Sequence, residues 1–164
     1  MNEALDFAAR IVATGVGATM ILDGWSLFLR KVFGVPFPSY LMIGRWVGHF
    51  GKLRFRHKSM AEAAPIAGEG LIGWTTHYVI GVGYAVLLVA GAGQAWLAAP
   101  TMLPALAVGL ATVAAPFFVM QPAMGAGIAA SKALRPGLAR LKSLAAHTAF
   151  GFGLFLSALV LTMV

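Results

Sequence analysis

The chain has no cysteine and very little acid: five Asp and Glu stand against twelve Lys and Arg in 164 residues. Without a thiol there is no disulfide, no thiolate nucleophile and no cysteine-type zinc site, and redox chemistry says nothing about compartment. Charge of either sign is scarce. Charged residues make up 10% of the chain, against about a quarter in soluble domains. A water-soluble fold of this length cannot cover itself with so few polar groups. There is no phosphate-binding glycine loop, no aspartate-rich cluster, and no spacing that suggests a Ser-His-Asp set. What the chain has instead is apolar surface: 60% hydrophobic residues and a mean hydropathy of +0.85. Lipid is the solvent that accommodates it.

Four stretches are long enough to cross about 30 Å of hydrocarbon, which takes about 20 helical residues. They run from about Leu5 to Leu29, Leu71 to Leu97, Met102 to Met124 or beyond, and Ser143 to Val164. A lone sheet would leave open edges in lipid, so helices are expected, and the alternation of a membrane β-barrel is missing. Glu3 and Asp6 stand where a secretory signal peptide carries bases, and no small-residue cleavage site closes the first run, which is therefore read as a span. The fold class is an all-α integral membrane protein: one domain, residues 1–164, forming a four-helix bundle. Pro36 and Pro38 end the first helix, and Tyr40–Phe50 mixes apolar residues with Arg45 and His49, as a short helix lying at the interface does. Pro116 removes a backbone hydrogen bond from the third span and should kink it. The small residues Met124–Ser131 extend that helix to about Lys132. No internal repeat relates the two halves.

The bases set the topology. Arg30, Lys31, Arg45, Lys52, Arg54, Arg56 and Lys58 fall in the connection 30–70, and Lys132, Arg135, Arg140 and Lys142 in the connection 125–142. Only Arg10 lies elsewhere, and the connection near Gln94–Pro100 has none. Both basic segments are therefore expected in the cytoplasm and both termini in the periplasm of a bacterial inner membrane. This placement accounts for the net charge of +7 through the membrane, not through nucleic acid. Lipid headgroups are the expected partner of the run Lys52–Lys58, chiefly as a topology anchor.

Ionisable groups inside a span each cost about 2.5–3.5 kcal/mol at the bilayer centre and usually face other helices. Asp23, His77 and His147 are such groups, and Gln121 is a fourth strongly polar side chain. At 1.5 Å per residue they lie roughly 8–16 Å from the cytoplasmic ends of their helices. Gly15, Thr19 and Asp23 share a stripe at spacing four, as do Gly73, His77, Gly81 and Ala85, and His147 with Gly151. Small residues at that spacing let helices approach closely in lipid. The expected polar site is thus Asp23, His77, His147 and Gln121, with Glu69 at the interface in support. Taken singly, each has a structural reading: Asp23 bonded to Thr19 or a neighbouring helix, His77 to a carbonyl, Glu69 capping the second helix by default or pairing with an arginine. His77 and His147 are the candidates for any metal. Met20, Met120 and Met124 are read as filler.

The stretches GVGATMILDGW (Gly15–Trp25), GRWVGH (Gly44–His49), RFRH (Arg54–His57), GEGLIGWTTHYVIGVGY (Gly68–Tyr84), APFFVMQPAMGAG (Ala115–Gly127) and RLKSLAAHTAFG (Arg140–Gly151) together resemble the bacterial membrane family called domain of unknown function 2938. The resemblance implies a small inner-membrane protein and no particular activity.

Ion or proton handling by the Asp/His site is the leading expectation, since histidine titrates near neutral pH. Four helices are few for a transporter, so a homo-oligomer is expected. A haem b protein is the alternative, with His77 and His147 as axial ligands. A second alternative is a non-catalytic subunit or assembly factor of a larger membrane complex. An enzyme using Glu69–His77 or Asp23–His77 for acid–base work on a lipid is the weakest reading.

Overall fold

The structure is a computed structural model describing residues 2–163. Those residues form helices, turns and irregular segments, with no strand among them. Helix α1 spans Glu3–Phe33, α2 Tyr40–Gly48, α3 Glu69–Ala92, α4 Met102–Ala111, α5 Gln121–Ala123 and α6 Pro136–Leu161. Four apolar segments have the length and hydropathy to cross a membrane: Glu3–Phe33, Glu69–Ala92, Met102–Ala123 and Pro136–Leu161. Their large exposed side chains, among them Val12, Met20, Val79, Leu87, Leu103, Val119 and Val160, are what a lipid-facing surface requires and an aqueous one does not tolerate in such number.

Helix boundaries follow local chemistry. Asn2 caps α1 by accepting from the Ala4 N–H at 3.1 Å. Glu3 and Asp6 in its first turn and Arg30 and Lys31 in its last complement the helix dipole. Gly34, at φ 64°, stops it. Helix α3 ends at Ala92, earlier than the apolar run suggests, because Gly93 at φ 87° turns the chain into a 3₁₀ turn at Gln94–Leu97. The third span does not continue to Lys132. It ends at Ala123, and Gly125 at φ 92° and Gly127 at φ 77° start an irregular loop. Composition alone made Met124–Ser131 look helical; the two glycines decide otherwise. Pro116 disturbs this span as expected. The disturbance is a π-helical turn at Pro116–Met120, preceded by a break at Thr112–Val113, because a proline has no N–H to offer the preceding turn. Helix α6 starts at Pro136, seven residues before the apolar run, as proline suits a first helical position.

The chain forms two compact units. The first comprises Met1–Phe37, Tyr78–Thr112 and Ala145–Val164, the second Pro38–His77 and Val113–Leu144. In the first unit the core is built of Ala18, Ala85, Leu88, Val89, Ala105, Phe150, Leu154 and Ala158. Glycine sets the spacing there. A methyl on Gly15 would stand 2.5 Å from the Val82 Cα, and one on Gly109 2.6 Å from the Gly151 Cα. A methyl on Gly153 would likewise press on the backbone of Ala18, and one on Gly81 on the Thr19 hydroxyl. In the second unit α2 lies backbone to backbone on the first turns of α3: Gly44 meets the Glu69 carbonyl and Gly73 the Tyr40 carbonyl.

Gly15→Ala and Gly109→Ala should each lower stability by about 1–3 kcal/mol, the usual cost of forcing atoms into a packed contact. Gly83, with nothing within 4 Å of its Cβ position, should accept alanine neutrally or with a gain of up to about 1 kcal/mol. Unfolding in detergent micelles, followed by helical circular dichroism, checks both.

Candidate functional site

The first unit holds two of the expected polar residues, each against a hydroxyl. The Tyr78 phenol on α3 donates to Asp23 Oδ2 on α1 at 3.1 Å. Thr19 does not supply this bond; its hydroxyl donates to the Gly15 carbonyl at 2.8 Å, a back-bond usual for threonine within a helix. His147 places Nδ1 2.9 Å from the Thr112 hydroxyl and 3.2 Å from the Gly109 carbonyl. Thr112 itself donates to Gly109 at 2.7 Å. With acceptors on both sides, Nδ1 carries the proton, an assignment that follows from the network.

The second unit holds the other three. His77 Nε2 lies 3.0 Å from the Tyr40 hydroxyl, the two rings stacked at 4.2 Å. Trp74 meets Tyr40 edge-on at 4.5 Å. Tyr40 reaches His77 because Gly44 and Gly73 bring α2 onto α3. Glu69 is gripped by Arg45 in a two-pronged ion pair, Nε to Oε2 and Nη2 to Oε1, both 2.8 Å. Its Oε2 also accepts the Ile66 N–H at 3.2 Å. Glu69 therefore both caps and pairs, and the pairing with Arg45 carries the stronger, charge-assisted bonds. The remaining Arg45 nitrogen donates to the Ala63 carbonyl at 3.1 Å, so one guanidinium ties α2, the 60–66 segment and the start of α3. Gln121 makes a long contact, 3.5 Å, to the Ser143 hydroxyl, and its carbonyl oxygen is buried without a partner.

Asp23 and His147 thus belong to one unit and His77, Glu69 and Gln121 to the other, each with its own partner. Among the described residues no three His, Asp or Glu are arranged to hold a metal ion. Reasoning from ionisable groups alone missed the hydroxyls. Tyr40, Tyr78 and Thr112 sit in or beside the apolar runs, and a search for every side chain able to exchange a proton with the selected acid and imidazoles would have raised them.

A second histidine pair was also missed. His49 Nδ1 lies 2.8 Å from His57 Nε2, the rings stacked at 4.9 Å. His49 is buried at 3% exposure. The His57 backbone N–H donates to the Ala123 carbonyl at 2.8 Å and the Met60 backbone N–H to that of Met124 at 3.1 Å, so the segment 57–60 is strapped to the end of the third span. Burial first, then the positive charge of His49 and Arg54, pushes the His57 imidazole below its ordinary value. Both histidines lie in the motifs GRWVGH and RFRH.

A chain whose described residues form helices and irregular segments, with four apolar helices of spanning length and polar side chains paired within them, is a multi-span helical membrane protein. It belongs to the family described as protein of unknown function (DUF2938), whose profile matches residues 12–161. No curated protein and no solved structure matches the chain.

Arg45→Met should lower the thermal midpoint of the detergent-solubilised protein, and Arg45→Lys should restore little of it, since an ammonium cannot make the two-pronged contact. The depressed His57 value makes the native state bind a proton more weakly than the unfolded chain. The stability this confers is complete above the ordinary histidine value of about 6.5 and is lost as pH falls below it. The midpoint should therefore drop between pH 7.5 and 5.5, and the drop should shrink in His57→Gln. A thermal melt series across that range measures it.

Proposed function

We propose that this is a proton-handling protein of the bacterial inner membrane, acting as a homo-oligomer, with Asp23 and Tyr78 as its proton-exchanging pair. The observation that carries the reading is the 3.1 Å bond from a phenol to a carboxylate between two spanning helices. A carboxyl group inside a span is costly and marks function by default, and its partner here is itself a proton donor. The His77–Tyr40 and His147–Thr112 bonds are of the same kind, imidazole against hydroxyl, which suits exchange of a proton better than the carbonyl coordination a bare cation requires. These hydroxyls favour proton exchange over the haem reading, in which both imidazoles would serve as axial ligands. Four helices enclose little polar interior, which is the reason for including several copies. The gathering of bases in the segments 30–70 and 125–142 supports a cytoplasmic position for both.

Purified protein in liposomes, driven by a potassium–valinomycin potential and read with an entrapped pH dye, should pass protons faster than empty liposomes. Asp23→Asn should abolish the flux. Tyr78→Phe should cut it by about tenfold, the equivalent of one hydrogen bond to a charged group. Wild-type flux equal to that of empty vesicles defeats the reading. The absence of cysteine allows topology to be read cleanly. A cysteine at Lys132 should resist a membrane-impermeant maleimide in intact cells and react in inverted vesicles, and one at Gln94 should do the reverse.

A further inference from the structure

The whole net charge of the protein resides in the second unit. It holds nine of the twelve Lys and Arg and two of the five acids, Glu62 and Glu69, while the first unit is balanced at three and three. Glu69 is committed to Arg45. Within this unit an open-mouthed cavity of about 440 Å³ is lined by Arg56, His57, Lys58 and Lys132, with Gly125 and Gly127 in its wall and no carboxylate. Like charges brought to one cavity repel each other unless something of opposite charge enters.

The cavity is built, not a chance gathering of long side chains. Four residues of the loop beside it have left-handed backbone: Gly125 at φ 92°, Gly127 at 77°, Ala129 at 47° and Ala130 at 55°. For the two alanines this conformation is strained, and strain of this kind gathers at binding sites. The loop is held regardless. The Lys132 N–H reaches back to the Ala126 carbonyl at 2.9 Å, and Arg140 Nε grips the Ala129 carbonyl at 2.9 Å. Gly125 is pressed against the Lys58 carbonyl, where a methyl could not fit. That contact fixes the loop against the strand of chain carrying Arg56, His57 and Lys58. A cavity lined by one guanidinium and two ammonium groups, with no acid among its lining residues, has the donor set of a phosphate site.

We propose that the cavity lined by Arg56, His57, Lys58 and Lys132 binds a phosphate group, carried either by an anionic lipid headgroup or by a free phosphate. The site is independent of the proton pair and stands or falls without it.

The full chain in a neutral detergent is titrated with dihexanoyl phosphatidylglycerol and, separately, with inorganic phosphate at constant ionic strength. Binding is followed by tryptophan fluorescence and by the rise in thermal midpoint that a ligand of the native state produces. Saturable binding of the phosphatidylglycerol alone identifies a headgroup site; saturable binding of inorganic phosphate identifies a site for free phosphate. Lys132→Ala and Arg56→Ala, both at exposed positions and so expected to fold, should each weaken binding by about tenfold. Lys52→Ala and Arg135→Ala remove equal charge outside the cavity and should leave affinity within a factor of about two, well under the tenfold expected for a direct charge-assisted contact. Binding of neither probe overturns the proposal. So does equal weakening by all four substitutions, which would mean a diffuse basic surface and no site.

Discussion

Close contact between helix backbones is the constraint on which this structure depends. In lipid there is no hydrophobic gain from bringing two helices together, so attraction must come from packing and from buried polar bonds. Both need the backbones near one another, and side chains stand in the way. The first unit meets the requirement at Gly15 against Val82, Gly109 against Gly151 and Gly153 against Ala18; the second meets it at Gly44 and Gly73. The polar pairs follow from that closeness. Tyr40 reaches His77 and Arg45 reaches Glu69 because the backbone of α2 touches that of α3. A bulkier residue at Gly44 or Gly73 would separate the ring from the imidazole and the guanidinium from the carboxylate together.

The four apolar helices of spanning length and the short helix after the first of them were legible in the sequence because length and apolar composition are properties of whole segments. The small-residue stripe was legible for a related reason. Spacing four puts Gly15 with Thr19, and Gly73 with His77 and Gly81, on common helix faces, and the structure uses these glycines for contact. Hydrogen-bond partners were not legible in the same way. The reading of Asp23 leaves two partners open, Thr19 or a neighbouring helix; the threonine hydroxyl is satisfied more locally, by the carbonyl four residues before it, and the neighbouring helix supplies the bond. Tyr78 belongs to another helix, and only packing reveals that pairing. The end of the third span was misjudged because Met124–Ser131 is small and apolar, whereas Gly125 and Gly127 adopt backbone angles no helix contains.

Charge and polarity are sorted between the units by different means. In the first, three acids and three bases cancel, and the polar groups within the spans are mainly hydroxyl, imidazole and carboxyl. In the second, guanidinium and ammonium groups dominate, one of them spent on the Glu69 clamp and one on the Ala129 carbonyl. Two connections far apart in sequence, 53–60 and 123–132, are joined there through main-chain bonds to Ala123 and Met124. Those bonds do not depend on ionic strength as surface ion pairs do, so the basic segment keeps its shape while its charges remain available.

The facing nitrogens of His49 and His57 impose a counting rule. A bond between two imidazole nitrogens needs one hydrogen in the gap, and two hydrogens there would clash. If each ring is neutral, the hydrogen in the gap belongs to one ring, and the other ring carries its own on the far side. If one ring gains a second proton, the bond survives and strengthens; if both do, it cannot form. The pair therefore admits at most one positive charge, and when it carries one, passing the hydrogen between the two nitrogens, which stand 2.8 Å apart, hands the charge from one ring to the other without changing the total. In a segment crowded with fixed cations, the charge of this pair is capped by geometry while its position is free to move.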